Sequence, residues 1–151
     1  MTPLRDNSVL QLSLYGGSAE LLVIDPKGKR TGLDPRTGTS FEEIPASSYG
    51  EESLGADDGS GQIMSRKLLW ISRPLSGEYT VEVIGTGYAR ISLEVRPVDI
   101  NSDGQRISVD GNMLALGVDT IEAMVTPGVS NVYRLTYSST PDQPAKLIRL
   151  K

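Results

Sequence analysis

The chain has 151 residues with no His and no Cys, carries 16 Gly and 9 Pro, and has a formal net charge of -4. Without imidazole or thiol, histidine-based triads, cysteine nucleophiles and histidine metal sites are excluded, and the acidic balance argues against nucleic acid and anionic membranes as partners. No window approaches the ~20 apolar residues of a membrane span, and the length suits one domain with a real core of its own.

Met1 to Asp6 has no apolar h-region and so no signal peptide, which makes the expectation a fragment of a larger secreted protein with Met1 added. Ser8 to Tyr15 alternates, with Leu10, Leu12 and Leu14 on one side and Val9, Gln11 and Ser13 on the other. Two-residue alternation predicts a half-buried strand. After the Gly16-Gly17-Ser18 turn, Ala19 to Ile24 is a nearly continuous apolar run, as in a central strand covered on both faces. Asp25-Pro26-Lys27-Gly28 has the chemistry of a type I turn, Asp34 to Gly38 repeats it one step longer, and Thr31 to Leu33 is a short strand between them. Residues 39 to 64 are acidic and rich in Gly and Ser, and read as a long, partly mobile excursion from one end of the domain.

The stretch Ser65 to Val95 organises the rest: three alternating strands joined by Pro74-Leu75-Ser76-Gly77 and Gly85-Thr86-Gly87, a meander beside which the other strands lie. Further on, Arg106 to Val109 is a short strand and Asn112 to Val118 is ambiguous between helical turn and strand. Asp119 to Thr126 and Asn131 to Tyr137 are strands joined at Pro127-Gly128, with a last strand over Ala145 to Leu150. About ten short, regularly spaced strands predict an all-β fold: an antiparallel two-sheet sandwich, immunoglobulin-like Greek key or jelly-roll.

Two pieces carry a family resemblance. Pro74 to Val83, PLSGEYTVEV, resembles the G-x-Y-x-V strand of immunoglobulin-like and related bacterial β-sandwich repeats; Val81 stands where an antibody-type domain carries Cys, so no inter-sheet disulfide forms. Roughly residues 18 to 95 are similar to β-modules of large secreted bacterial proteins, which often follow von Willebrand A-type or hydrolase domains, and to pre-peptidase C-terminal domains. TIEAMVTPGVSNVYRLTYSS resembles the opening strands of such a module. Two organisations therefore stay open: residues 1–151 as a single sandwich, or 1–98 as a sandwich with 107–151 beginning a second module. The resemblance implies an extracellular or cell-surface accessory module and no catalytic residues.

The sharpest local motif is Asp99-Ile100-Asn101-Ser102-Asp103-Gly104, with Asp110 at the twelfth position. It is similar to the calcium loop of EF-hands and dockerins, in which oxygen ligands alternate and Gly permits the sharp turn. Asp99, Asn101, Asp103, the Gln105 carbonyl and Asp110 would be the ligands. Against it stand Arg106 at an ordinarily apolar position, Asp in place of Glu at position twelve, and no flanking helices; a turn-rich connector explains the same residues.

The acidic group Glu42, Glu43, Glu51, Glu52, Asp57 and Asp58 reads as a solvated loop. Among the aromatics, Trp70, Tyr79 and Tyr133 are expected in the core, and Tyr49 is the best exposed candidate for stacking on a sugar. Gly28-Lys29-Arg30-Thr31 lacks phosphate-loop spacing, and Lys27, Lys29, Arg30 and Arg36 read as a wet turn surface. The function expected is that of a non-catalytic, extracellular structural or adhesive module, stabilised by calcium, that presents loops to a protein partner or an adjacent domain. The alternative is a carbohydrate-binding accessory module of a secreted enzyme.

Overall fold

The computed structural model of the chain describes residues 8–55, 63–100, 106–108, 119–137 and 146–150. All regular structure among them is β: β1 (Ser8–Tyr15), β2 (Ala19–Ile24), β3 (Arg30–Asp34), β4 (Thr39–Glu42), β5 (Ser47–Gly55), β6 (Ile63–Ser72), β7 (Gly77–Gly85), β8 (Ala89–Ile100), β9 (Arg106–Ser108), β10 (Asp119–Val125), β11 (Ser130–Tyr137) and β12 (Lys146–Arg149). One sheet runs β10-β8-β1-β6-β5, with β9 paired to the end of β8; the other runs β12-β11-β7-β2-β3-β4. Every pairing is antiparallel. This is the two-sheet sandwich that the alternation predicts. None of the described residues forms a helix long and apolar enough to cross a membrane.

The alternating positions meet between the sheets. Leu10, Leu12 and Leu14 of β1, Leu69 and Ile71 of β6, and Ile91, Leu93 and Val95 of β8 face Leu21 and Val23 of β2, Tyr79, Val81 and Val83 of β7, and Tyr133, Leu135 and Tyr137 of β11. Removing a large aliphatic or aromatic side chain from water is worth roughly 1.5–3 kcal/mol, so one strand's inward set fixes its register as well as its burial.

Three expectations need correction. The strands of Ser65 to Val95 do not form a meander: β6 and β8 both pair with β1, while β7 lies in the opposite sheet between β2 and β11. Their two turns carry the chain across the ~10 Å between packed sheets, and periodicity is identical whether a turn stays in its sheet or leaves it. Residues 39 to 64 are not one long excursion. β4 and β5 occupy the edges of the two sheets, and β5 pairs with β6 from Ser47 opposite Ile71 to Gly55 opposite Ile63. The register sets Glu51 opposite Lys67 and Glu52 opposite Arg66, so the acidic run is the cross-strand complement of a basic one. An edge strand buries little, which is why β5 has no apolar alternation to read. Finally, Trp70 is not in the core; it stands with Leu68 and Ser72 on the outer face of its sheet, half-buried.

Candidate functional site

A cleft of about 250 Å³ opens at one end of the sandwich, lined by the β2–β3 turn (Asp25, Lys27, Lys29), the β4–β5 link (Ile44 to Ala46), and the β6–β7 turn with its flanks (Ile71 to Leu75, Tyr79). Three connections from two sheets converge there, and each is held by a specific polar network.

The first is the Asp-Pro-Lys-Gly turn. Gly28 N–H donates to the Asp25 carbonyl at 2.9 Å, closing the expected type I turn. The buried Asp25 carboxylate then accepts from the amides of Lys27 and Lys29 through Oδ1, at 2.9 and 2.8 Å. One side chain thus stiffens the whole connection. Pro26 packs against Gly77, where a Cβ would lie 3.0 Å from the proline Cγ, and Gly77 has φ +141. Only glycine accepts that conformation freely, and only its bare Cα lets the two turns touch.

The second connection rests on a cyclic network. Ser47 Oγ donates to the Ile44 carbonyl at 2.6 Å, and Ile44 N–H donates to Thr31 Oγ1 at 3.2 Å. The two hydroxyls lie 2.7 Å apart. A serine hydroxyl has one hydrogen, already given to Ile44, so Thr31 is the donor to Ser47. Ser72 N–H donates to the Ala46 carbonyl at 2.9 Å, tying this link to the end of β6. In the third connection, Tyr79 Oη donates to the Leu75 carbonyl at 2.7 Å. Burial raises the Tyr79 pKa well above its ordinary value, with Asp25 and Tyr137 adding to the shift, so the group acts as a neutral donor.

Ala46 and Arg73 have φ of 55 and 52, and they are the non-glycine residues with positive φ among the described residues. Both line the cleft. Left-handed backbone costs a side-chain-bearing residue roughly 1–3 kcal/mol and concentrates at ligand-binding positions. The electrostatics are also lopsided. Lys27, Lys29 and Arg73 line the cleft with no carboxylate bonded to them among the described residues, although Lys29 feels the field of Glu43. By contrast, Arg30 is bonded to Glu43 and stacked over Phe41 at 4.1 Å, and Arg36 is bonded to Asp34. The basic group read as a wet turn surface therefore divides into two cations paired with carboxylates, Arg30 and Arg36, and two, Lys27 and Lys29, with none bonded among the described residues. Arg73 and the apolar floor of Ile44, Ile71, Pro74 and Tyr79 were not legible as a site, because residues 25–29, 44–46 and 71–75 come together only through the sheet crossing. The readable signal was the Asp-Pro-Lys-Gly turn.

Of the proposed calcium ligands, Asp99 lies in β8, opposite Ser8 and Ile107. Asn101, Asp103, Gln105 and Asp110 lie outside the described residues. Val9 is opposite both Val98 and Ser72, so β8 ends at the same end of the sandwich as the cleft. Among the described residues no group of three acidic side chains could hold a metal. The acids Asp57 and Asp58 also fall outside the described residues.

Tyr49, expected to be exposed, turns inward from β5. Its hydroxyl donates to Glu20 Oε2 and accepts from Leu21 N–H at 3.1 Å, while Lys67 Nζ reaches Glu20 Oε1 at 2.8 Å and the Ala19 carbonyl at 2.6 Å. Burial first, and then the Glu20 hydrogen bond, raises the Tyr49 pKa far above the usual phenol range. It is a tie between the sheets, half-buried, with its ring beside Phe41 in a shallow depression. Among the described aromatics Tyr88 alone is exposed, at 81%.

In comparisons with known proteins, the chain matches no family model, no curated protein and no solved structure.

Proposed function

We propose that the chain is a non-catalytic structural or adhesive module of an extracellular protein, presenting the turns at one end of the sandwich to a protein partner or a neighbouring domain. The single observation that carries the reading is the cleft: hydrogen-bonded turns, two left-handed backbones and three cations with no carboxylate bonded to them among the described residues converge around an apolar floor. Rigid scaffolds commonly display binding residues on connections of this kind. We further propose calcium as a ligand of Asp99, Asn101, Asp103, Gln105 and Asp110, on the spacing of these residues in the sequence alone. The carbohydrate-binding alternative has less behind it: Tyr88 offers a lone exposed ring, and Trp70, Phe41 and Tyr49 are half covered.

A random peptide library displayed on phage, selected on this protein, tests the reading. Binders that compete with one another and lose binding to a Lys27→Ala, Lys29→Ala, Arg73→Gly variant would support it; selections that yield only cleft-independent binders, or none, would overturn it. Calorimetry with calcium tests the metal: stoichiometric heat that disappears in Asp103→Ala supports it, and flat heat in the parent protein removes it.

A further inference from the structure

Resting on that reading, we infer that the cleft takes an acidic peptide segment, with a carboxylate between Lys27, Lys29 and Arg73 and an adjacent apolar side chain on Ile44, Ile71, Pro74 and Tyr79. Charge is the first argument. The cleft sets three cations against the one carboxylate of Asp25, in a chain whose net charge is -4. Asp25 is itself committed, through Oδ1, to two backbone amides and does not reach the cations' side chains among the described hydrogen bonds. Lys27, Lys29 and Arg73 are exposed at the rim of the apolar floor, and a carboxylate that meets them gains charge-assisted hydrogen bonds.

The backbone of the β2–β3 turn favours a carboxylate-bearing peptide over a phosphate. Phosphate sites are typically nests of free amides. Here the amides of Lys27, Gly28 and Lys29 all donate to Asp25. What remains is side-chain cations above a floor of isoleucine, proline and tyrosine, which suits an acidic residue followed by an aliphatic one. The volume, about 250 Å³, is close to the lower end of small-molecule sites, at roughly 300 Å³. It accommodates a residue or two and leaves the flanking peptide outside.

Arg73 gives the inference its sharpest handle. Its backbone sits where glycine is at ease, and its side chain has no partner among the described residues. Arg73→Gly should therefore leave the melting temperature unchanged or raised while removing a ligand contact. A structural role predicts the opposite.

The test is an amide NMR titration of the intact protein with blocked Glu-Leu-Glu, blocked Gln-Leu-Gln and inorganic phosphate. The expected result is saturable shifts at Lys27, Lys29, Ser72, Arg73 and Leu75 with the acidic peptide, about tenfold weaker binding in Arg73→Gly, and a similar loss in Lys27→Ala. Higher salt should weaken it as well. Equal binding of the two peptides at the cleft would overturn the acidic ligand and leave the module reading standing. Phosphate binding as tightly as Glu-Leu-Glu would overturn the peptide in favour of a bare anion. Absence of cleft shifts with any probe at millimolar concentration would sink both the inference and the reading beneath it.

Discussion

Single side chains in this sandwich separate into those whose polar atoms are answered and those whose atoms are not. Asp25→Ala removes the acceptor for two turn amides, so urea denaturation should show a loss of about 1–3 kcal/mol. Tyr79→Phe gives up the bond to the Leu75 carbonyl and should cost about 0.5–1.5 kcal/mol. Tyr133 is the control: its hydroxyl is buried with no hydrogen-bond partner among the described residues. Tyr133→Phe should then be neutral or more stable by up to about 1 kcal/mol, since an unsatisfied buried hydroxyl carries a desolvation cost. A large loss in Tyr133→Phe would mean the hydroxyl has a partner after all. These distinctions were invisible in the sequence, where the Tyr79 and Tyr133 strands show the same alternation.

At the scale of elements, the two turns that meet at Pro26 and Gly77 depend on a missing Cβ. Gly77→Ala should destabilise by more than about 1 kcal/mol, read from the urea midpoint, and should broaden the amides of residues 25–29 as the turns part. Strand existence was largely legible: Leu10-Leu12-Leu14, Tyr79-Val81-Val83, Ile91-Leu93-Val95 and Tyr133-Leu135-Tyr137 all face inward as their spacing implied. Partnership was not. Trp70 and Leu69 differ by one step of alternation, and only the order β8-β1-β6 decides which of them meets the opposite sheet. For the same reason Tyr49 looked like a loop residue: its strand owes its place to pairing with β6, and the Glu20 carboxylate and Leu21 amide that hold its hydroxyl come from β2 in the other sheet. The site was legible only in the Lys27 and Lys29 turn. Its other walls were assembled by sheet packing.

The whole molecule should respond to pH in two directions. Burial raises the pKa of Tyr49, Tyr79 and Tyr133 in the folded protein. Above pH ~10 the unfolded chain begins to lose phenol protons that the native state retains, so the unfolded state binds fewer protons and stability falls as pH rises. On the acid side, hydrogen bonds from Arg36 and Arg30 lower the pKa of Asp34 and Glu43. That contribution is present above the ordinary carboxylate range near pH ~4 and is lost on acidification, and it is small because both sites face solvent. Melting temperatures should therefore form a plateau from about pH 5 to 10 with the steeper fall on the alkaline side. A stability that keeps rising beyond pH 11 would contradict the buried phenols.

The position of β1 has a consequence for the order in which the molecule can be made. It is the first strand described in the chain, yet it lies in the interior of its sheet, between β6 and β8. Tyr15 meets Arg66 across 51 residues of chain, and Ser8 waits for Asp99. A ribosome extending this chain therefore releases Leu10, Leu12 and Leu14 long before either neighbour exists to cover them. Pairings that close over such distances form slowly and leave apolar surface open to wrong partners meanwhile. The apolar face of β1 is thus an aggregation hazard of the nascent chain, and it stays one until β6 and then β8 have followed it.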